Sequence, residues 1–150
     1  MALKLSADLK DYIITQGIIT KLAGTAGTAG TCTLKIYTGS QPTNADTAPS
    51  GTNSTMLCEI INVGWGGTIG STSGTAQLGS NGGMAGTAAA TGTAGWARLQ
   101  TIGTGYTGSA ATFVIDGDVG TASTSTFVIN AVAITGGGTV TLLTAPIKIS

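Results

Sequence analysis

Apolar and polar residues alternate with a period of two along much of this chain, and that period predicts strands. Residues 92–102 are the clearest case. Trp96, Arg98 and Gln100 fall on one side, and Ala97, Leu99 and Thr101 on the other. We read this stretch as a central strand, with Gly95 marking a bulge or a close backbone approach. Residues 31–38 place Cys32, Leu34 and Ile36 inward and Thr33, Lys35 and Tyr37 outward. Residues 55–63 put Met56, Cys58 and Ile60 on one face and Leu57, Glu59 and Ile61 on the other. Shorter extended pieces fall at 75–78 and 84–89. Residues 111–115 read as a strand ending in a tight turn at 116–120. Strands at 124–134 and 139–149 flank Gly136-Gly137-Gly138, a strong hairpin signal. Pro146 places the last strand on an edge or bends it near its end.

The period changes once, near the N-terminus. Leu5, Leu9, Tyr12, Ile13 and Gln16 recur at three- and four-residue spacing, which predicts a helix over 6–22 broken or kinked at Gly17. Ser6 is its N-cap, and Asp8 sits in the first turn, where the helix dipole favours a carboxylate. The helix either covers the sheet or is an arm that docks on a neighbouring subunit. Residues 23–30 repeat Gly-Thr-Ala and read as a flexible loop. Residues 39–53 collect turn formers, among them Ser40, Pro42, Asn44, Asp46, Pro49 and Gly51. That loop is long for a structureless connection, which marks it as functional or mobile. The expected organisation is a helical arm, 1–22, and one β-rich domain, 23–150. The expected class is mainly β, a β-sandwich or jelly-roll-like domain with a short N-terminal α-helix.

Composition sharpens this picture. Charged residues make up only 8% of the chain, against about 25% in an ordinary soluble domain. Lysine plus arginine equals aspartate plus glutamate, at six each. No basic patch invites nucleic acid, and no apolar run reaches the ~20 residues of a membrane helix. The opening Met-Ala-Leu-Lys-Leu-Ser does not read as a secretory signal. We therefore expect synthesis in a cytosol, with neither nucleic acid nor membrane as partner. A hydroxyl-rich, nearly uncharged surface nonetheless suits a protein that works outside cells. A particle assembled inside a cell and then released reconciles the two.

Candidate chemistry is sparse. The chain has no histidine, which removes Ser-His-Asp and Cys-His arrangements and the commonest metal ligand. Cys32 and Cys58 fall on inward faces and read as buried free thiols, with a disulfide as the alternative. Asp116 and Asp118 read as solvated turn carboxylates, with a weak cation site as the alternative. The glycine-rich segments lack the lysine and the strand–helix context of a phosphate loop. Arg98 is the only arginine and shares a face with Trp96. If that face is buried, Arg98 requires a carboxylate such as Glu59 or Asp116, or it must reach out at the sheet edge. No cofactor and no catalytic residue is expected.

Three segments carry a resemblance. The first is Met-Ala-Leu-Lys-Leu-Ser followed by a helix. The second is residues 34–46, Leu-Lys-Ile-Tyr-Thr-Gly-Ser-Gln-Pro-Thr-Asn-Ala-Asp. The third is residues 92–98, Gly-Thr-Ala-Gly-Trp-Ala-Arg, with the later Asp116-Gly-Asp-Val-Gly120. Together they resemble small virion proteins of tailed bacteriophages. Residues 64–90 match least and read as a variable region. The resemblance implies a non-enzymatic structural protein of the particle, one that decorates or cements the capsid. Its implied partners are the major capsid protein and further copies of itself. The rival placement is a tail or fibre component that binds a host surface glycan or receptor. Contact residues expected from these readings are Leu9, Tyr12 and Ile13 on the helix, and the aromatics Tyr37 and Trp65.

Overall fold

A computed structural model describes residues 6, 9, 13, 32–51, 54–63, 75–78, 84–101 and 114–148. They form ten strands: β1 (Cys32–Tyr37), β2 (Met56–Val63), β3 (Thr75–Leu78), β4 (Met84–Thr87), β5 (Gly92–Thr93), β6 (Trp96–Thr101), β7 (Val114–Gly120), β8 (Phe127–Ile129), β9 (Ala133–Ile134) and β10 (Thr139–Lys148). The main sheet runs β2-β1-β6-β7-β8-β10-β3, and β4 also pairs with β10. β4 then turns back toward β2. Cys58 bridges Ala88, and the amides of Ala89 and Ala90 donate to the Leu57 carbonyl. The sheet thereby nearly closes on itself, which satisfies most strand edges internally. The chain is mainly β, and its sheet is barrel-like in closure.

Most of the interior follows the alternation. Cys32, Leu34 and Ile36 of β1, Cys58, Ile60 and Val63 of β2, and Ala97 and Leu99 of β6 belong to one buried cluster. Val119, Phe127, Ile129, Val140, Leu142 and Ala145 join it from β7, β8 and β10. Strand β6 is central, with β1 on one side and β7 on the other.

Four readings of the pattern are corrected. Strand β2 does not alternate strictly, because the register with β1 shifts between Ile36 and Tyr37 and again between Cys32 and Leu34. The first shift makes Leu57 an extra residue, so it is buried beside Cys58 while Met56 is exposed. Residues 116–120 are not a turn; they continue β7, opposite Trp96, Ala97 and Arg98 of β6. The segment expected as one strand over 124–134 is broken into β8 and β9. Finally, Gly136–Gly138 do form a turn, with Gly137 at φ 82° and the Gly138 amide donating to the Thr135 carbonyl. That turn does not close a β9–β10 hairpin, because β9 pairs with β5. Its strand-like bonds go to Ala88 instead.

Glycines set two of the closest approaches. A Cβ at Gly86 would strike the Glu59 carbonyl and lie 2.9 Å from the Cys58 sulfur, so β4 approaches β2 closely only with glycine there. A Cβ at Gly117 would lie 2.5 Å from Thr126 Cγ2 and 3.0 Å from the Phe127 ring. Gly117 pairs with Ala97, and these two small residues leave space for Phe127.

Neither thiol is in a disulfide, and both are buried. Cys58 lies opposite Ile36, and Cys32 lies opposite Val63. At roughly 3.3 Å per residue along β1, that offset is too long for a disulfide. Burial, and then the Glu59 carboxylate beside it, push the Cys58 thiol above its ordinary value. Cys58 should therefore resist iodoacetamide in the folded protein and react in denaturant without added reductant. Labelling of the native protein at the unfolded rate would contradict this packing. Gly86→Ala should lower stability by ~1–3 kcal/mol through backbone displacement, read as a shifted urea midpoint.

Candidate functional site

The second face of the sheet holds the protein's polar chemistry. Across β2, β1, β6 and β7 it presents three rows. Met56, Tyr37, Trp96 and Asp118 form one; Glu59, Lys35, Arg98 and Asp116 the next; Thr33, Gln100 and Val114 the third. The expectation that Thr33 and Tyr37 point to solvent is corrected. Thr33 is 5% exposed and Tyr37 is 8% exposed.

Arg98 is the centre of this face and is wholly buried. Its Nε donates to Asp116 Oδ1 at 2.7 Å and its Nη2 to Asp116 Oδ2 at 2.6 Å, a two-point fork on one carboxylate. Nη2 also donates to the Thr47 carbonyl at 2.9 Å. The guanidinium carbon stands 5.6 Å from the Trp96 ring centroid, within cation–π range. Trp96 in turn stacks on Tyr37 with centroids 4.6 Å apart and planes 14° from parallel. Its Nε1 donates to the Thr38 carbonyl at 3.2 Å. Of the two carboxylates the sequence offered to Arg98, Asp116 is the partner. Glu59 instead faces Lys35, at 3.7 Å and half in solvent, where a pair is worth only ~0.2–1 kcal/mol.

These contacts hold residues 39–51 of the following loop onto the sheet. Its stem closes where Thr38 and Thr55 bond to each other, through the Thr38 amide and the Thr55 carbonyl at 3.0 Å and the Thr55 amide and the Thr38 hydroxyl at 2.9 Å. Asn44 makes an Asx turn, accepting from the Asp46 amide at 2.9 Å, and its carbonyl accepts from Thr47. The tip is anchored by Arg98 at Thr47. Gly95 allows the close approach expected for it: its amide donates to the Tyr37 carbonyl, and a Cβ there would strike the Gly39 carbonyl. Gly39 itself has φ 72°, the left-handed region glycine tolerates. The loop encloses a shallow cleft of about 570 Å³ whose walls include Ser40, Gln41, Thr43, Thr47 and Ser50. Among the described residues, no charged side chain lines it.

Asp118 is not a free turn carboxylate. It accepts from the Thr126 amide at 3.0 Å and the Thr126 hydroxyl at 2.6 Å, tying β7 to the 121–126 loop. These bonds, the hydroxyl's first, hold its carboxyl below the usual range against a smaller effect of burial. Burial pushes the Tyr37 phenol above its ordinary value, with Arg98 pulling it back. Among the described residues, no three His, Cys, Asp or Glu side chains group to hold a metal ion, and no helix is long and apolar enough to cross a membrane.

Of the expected contact residues, Leu9 is 45% exposed and Ile13 is 37% exposed, and the Leu9 amide donates to the Ser6 hydroxyl as an N-cap requires. Tyr37 is buried against Trp96 rather than displayed. Tyr12 and Trp65 lie outside the described residues, as does most of the helix. Sequence reasoning missed three exposed apolar side chains: Met56, Ile61 at 63% and Leu143 at 48%. Strict alternation assigned Met56 to the interior, and the bulge at Leu57 reverses that. No protein-family model, curated protein or solved structure matches the chain.

Truncating Asp116 to alanine strands a buried guanidinium and should cost ~3–5 kcal/mol, read by denaturant unfolding. Replacing Arg98 and Asp116 together by methionine and leucine should cost much less. Equal losses would show that the pair is not the feature holding the loop. Asp118 gives a pH signature. Its folded pKa is depressed, so its contribution is present above the unfolded value near 4 and is lost as pH falls through the folded value. Thr126→Val should flatten this acid limb of stability against pH and leave the region above pH 6 nearly parallel to wild type.

Proposed function

We propose that this chain is a non-enzymatic structural protein of a tailed-phage particle that decorates and stabilises the head shell. The observation that carries the reading is the pinned loop. A buried ion pair and a tryptophan hold an exposed, hydroxyl-rich segment in one shape on a nearly closed barrel. Such rigidity lowers the ordering cost of a contact surface, and it suits a module presented in many copies. The resemblance of residues 34–46 and 92–98 to phage virion proteins covers this loop's first half and the strand beneath it. Exposed Leu9, Ile13, Met56, Ile61 and Leu143 supply apolar contacts. The partners in this reading are the major capsid protein and other copies of the chain, on a particle assembled in the host cytoplasm.

The cleft inside the loop favours a second reading, adhesion. Uncharged hydroxyl and amide groups around about 570 Å³ fit a neutral surface glycan. The two readings separate on the particle. With few charges at the contact, shell binding should change little between low and moderate salt. Particles lacking the protein should assemble but release DNA at a lower temperature than complete ones. Unchanged heat resistance, with the protein imaged only at the tail, would overturn the cement reading and leave adhesion.

A further inference from the structure

The third row of the polar face places a hydroxyl and a carboxamide together, and Glu59 of the second row brings a carboxylate to the hydroxyl. Thr33 on β1 and Gln100 on β6 are directly opposite each other, and at 5% and 6% exposure both are buried. Directly opposed antiparallel residues have Cβ atoms about 4.5–5.5 Å apart, so the threonine oxygen and the glutamine carboxamide carbon are within reach of one another. The Thr33 hydroxyl donates to Glu59 Oε1 at 3.1 Å, closer than its other acceptor, the Ile60 carbonyl at 3.3 Å. The ion pair from Lys35 at 3.7 Å helps to hold that carboxylate in place. A hydroxyl bonded to a carboxylate beside an acyl group, all on a rigid support, is the arrangement of nucleophilic acyl transfer.

We infer that Thr33 and Gln100 form an intramolecular ester cross-link between β1 and β6, with Glu59 as general base. Glu59 takes the hydroxyl proton as Thr33 Oγ1 attacks Gln100 Cδ. The tetrahedral intermediate collapses as that proton passes to Gln100 Nε2. The Cδ–Nε2 bond breaks, ammonia leaves, and the Oγ1–Cδ ester remains. Glu59 is regenerated as a carboxylate, and no redox partner is needed. Juxtaposition supplies the driving geometry, since effective molarities of well-oriented intramolecular groups reach on the order of 10⁵–10⁸ M. Ammonia diffuses away, and burial protects the product from water. The bond would join β1 to β6, the strand that carries the buried arginine, and it stands or falls independently of any role in a particle.

Intact mass spectrometry of the full chain, aged at neutral pH, tests this. The expected result is a mass lower than the sequence mass by one ammonia, and a branched peptide linking the segments containing Thr33 and Gln100. Hydroxylamine should cleave that link. Asn81-Gly82 is a second place where ammonia can be lost, by succinimide formation, so Asn81→Ala serves as background. Thr33→Val and Gln100→Met should abolish the loss and Thr33→Ser should retain it. Glu59→Gln, at an exposed position, should slow it by roughly 10²–10⁴-fold. A folded wild type that keeps its full mass overturns the proposal. So does an ammonia loss that maps to Asn81, or one that proceeds at the wild-type rate in Glu59→Gln.

Discussion

One buried guanidinium constrains most of what surrounds it. An arginine removed from water must find its partners at fixed places or the fold fails. Arg98 has a carboxylate from β7, a carbonyl from the loop tip and a ring from its own strand. Each contact fixes a different relation. The fork to Asp116 sets the β6–β7 register, because a slip by one residue would turn Asp116 to the opposite face. The Thr47 bond fixes where the loop lands. The tryptophan beneath it, stacked on Tyr37, fixes β1 against β6. Such a pair contributes more to selecting one arrangement than to net stability, since an apolar replacement of equal volume can be as stable.

The inner face obeys a different rule, that of filling volume without voids. Near-closure of the sheet brings β4 against β2, and only a glycine at position 86 fits there. Closure also tightens curvature, which the extra residue at Leu57 accommodates. The bulge has a consequence on each face. Inside, it adds a leucine that packs toward Gly92. Outside, it turns Met56 to the surface beside the Tyr37–Trp96 stack.

Much of this was legible in the alternation, because a strand buried on one face prints its period directly. The strands at 32–37, 56–63, 96–101 and 139–148 follow from that signal, as does the need of Arg98 for Glu59 or Asp116. What failed shares a cause. Asp116-Gly-Asp118 has the residue types of a turn, yet it lies in a strand because tertiary contacts supply Arg98 and Thr126 as partners. Thr33 and Tyr37 look like solvent positions because the far face of a sheet is usually wet; here that face is largely buried. A bulge leaves no local mark in Met-Leu-Cys-Glu, so the burial of Leu57 could not be read there. Pairing partners are non-local, which is why Gly136–Gly138 announced a turn but not that its bonds would go to Ala88.

The distribution of charge limits how this surface can associate. Arg98 and Asp116 are consumed inside, and Lys35 is engaged with Glu59. Taking an exposed apolar side chain to full burial yields about 1.5–3 kcal/mol, and Ile61, Leu143 and Met56, already partly covered, each yield less. Bringing two bodies together costs an estimated 4–15 kcal/mol. Three such side chains therefore fall short of the cost of one encounter or barely meet its lower end. A single copy held by these groups alone would bind weakly and dissociate quickly. Firm attachment then requires either backbone pairing at the pinned loop, whose shape is already set, or many copies engaging one repeating surface, where each added contact is effectively intramolecular.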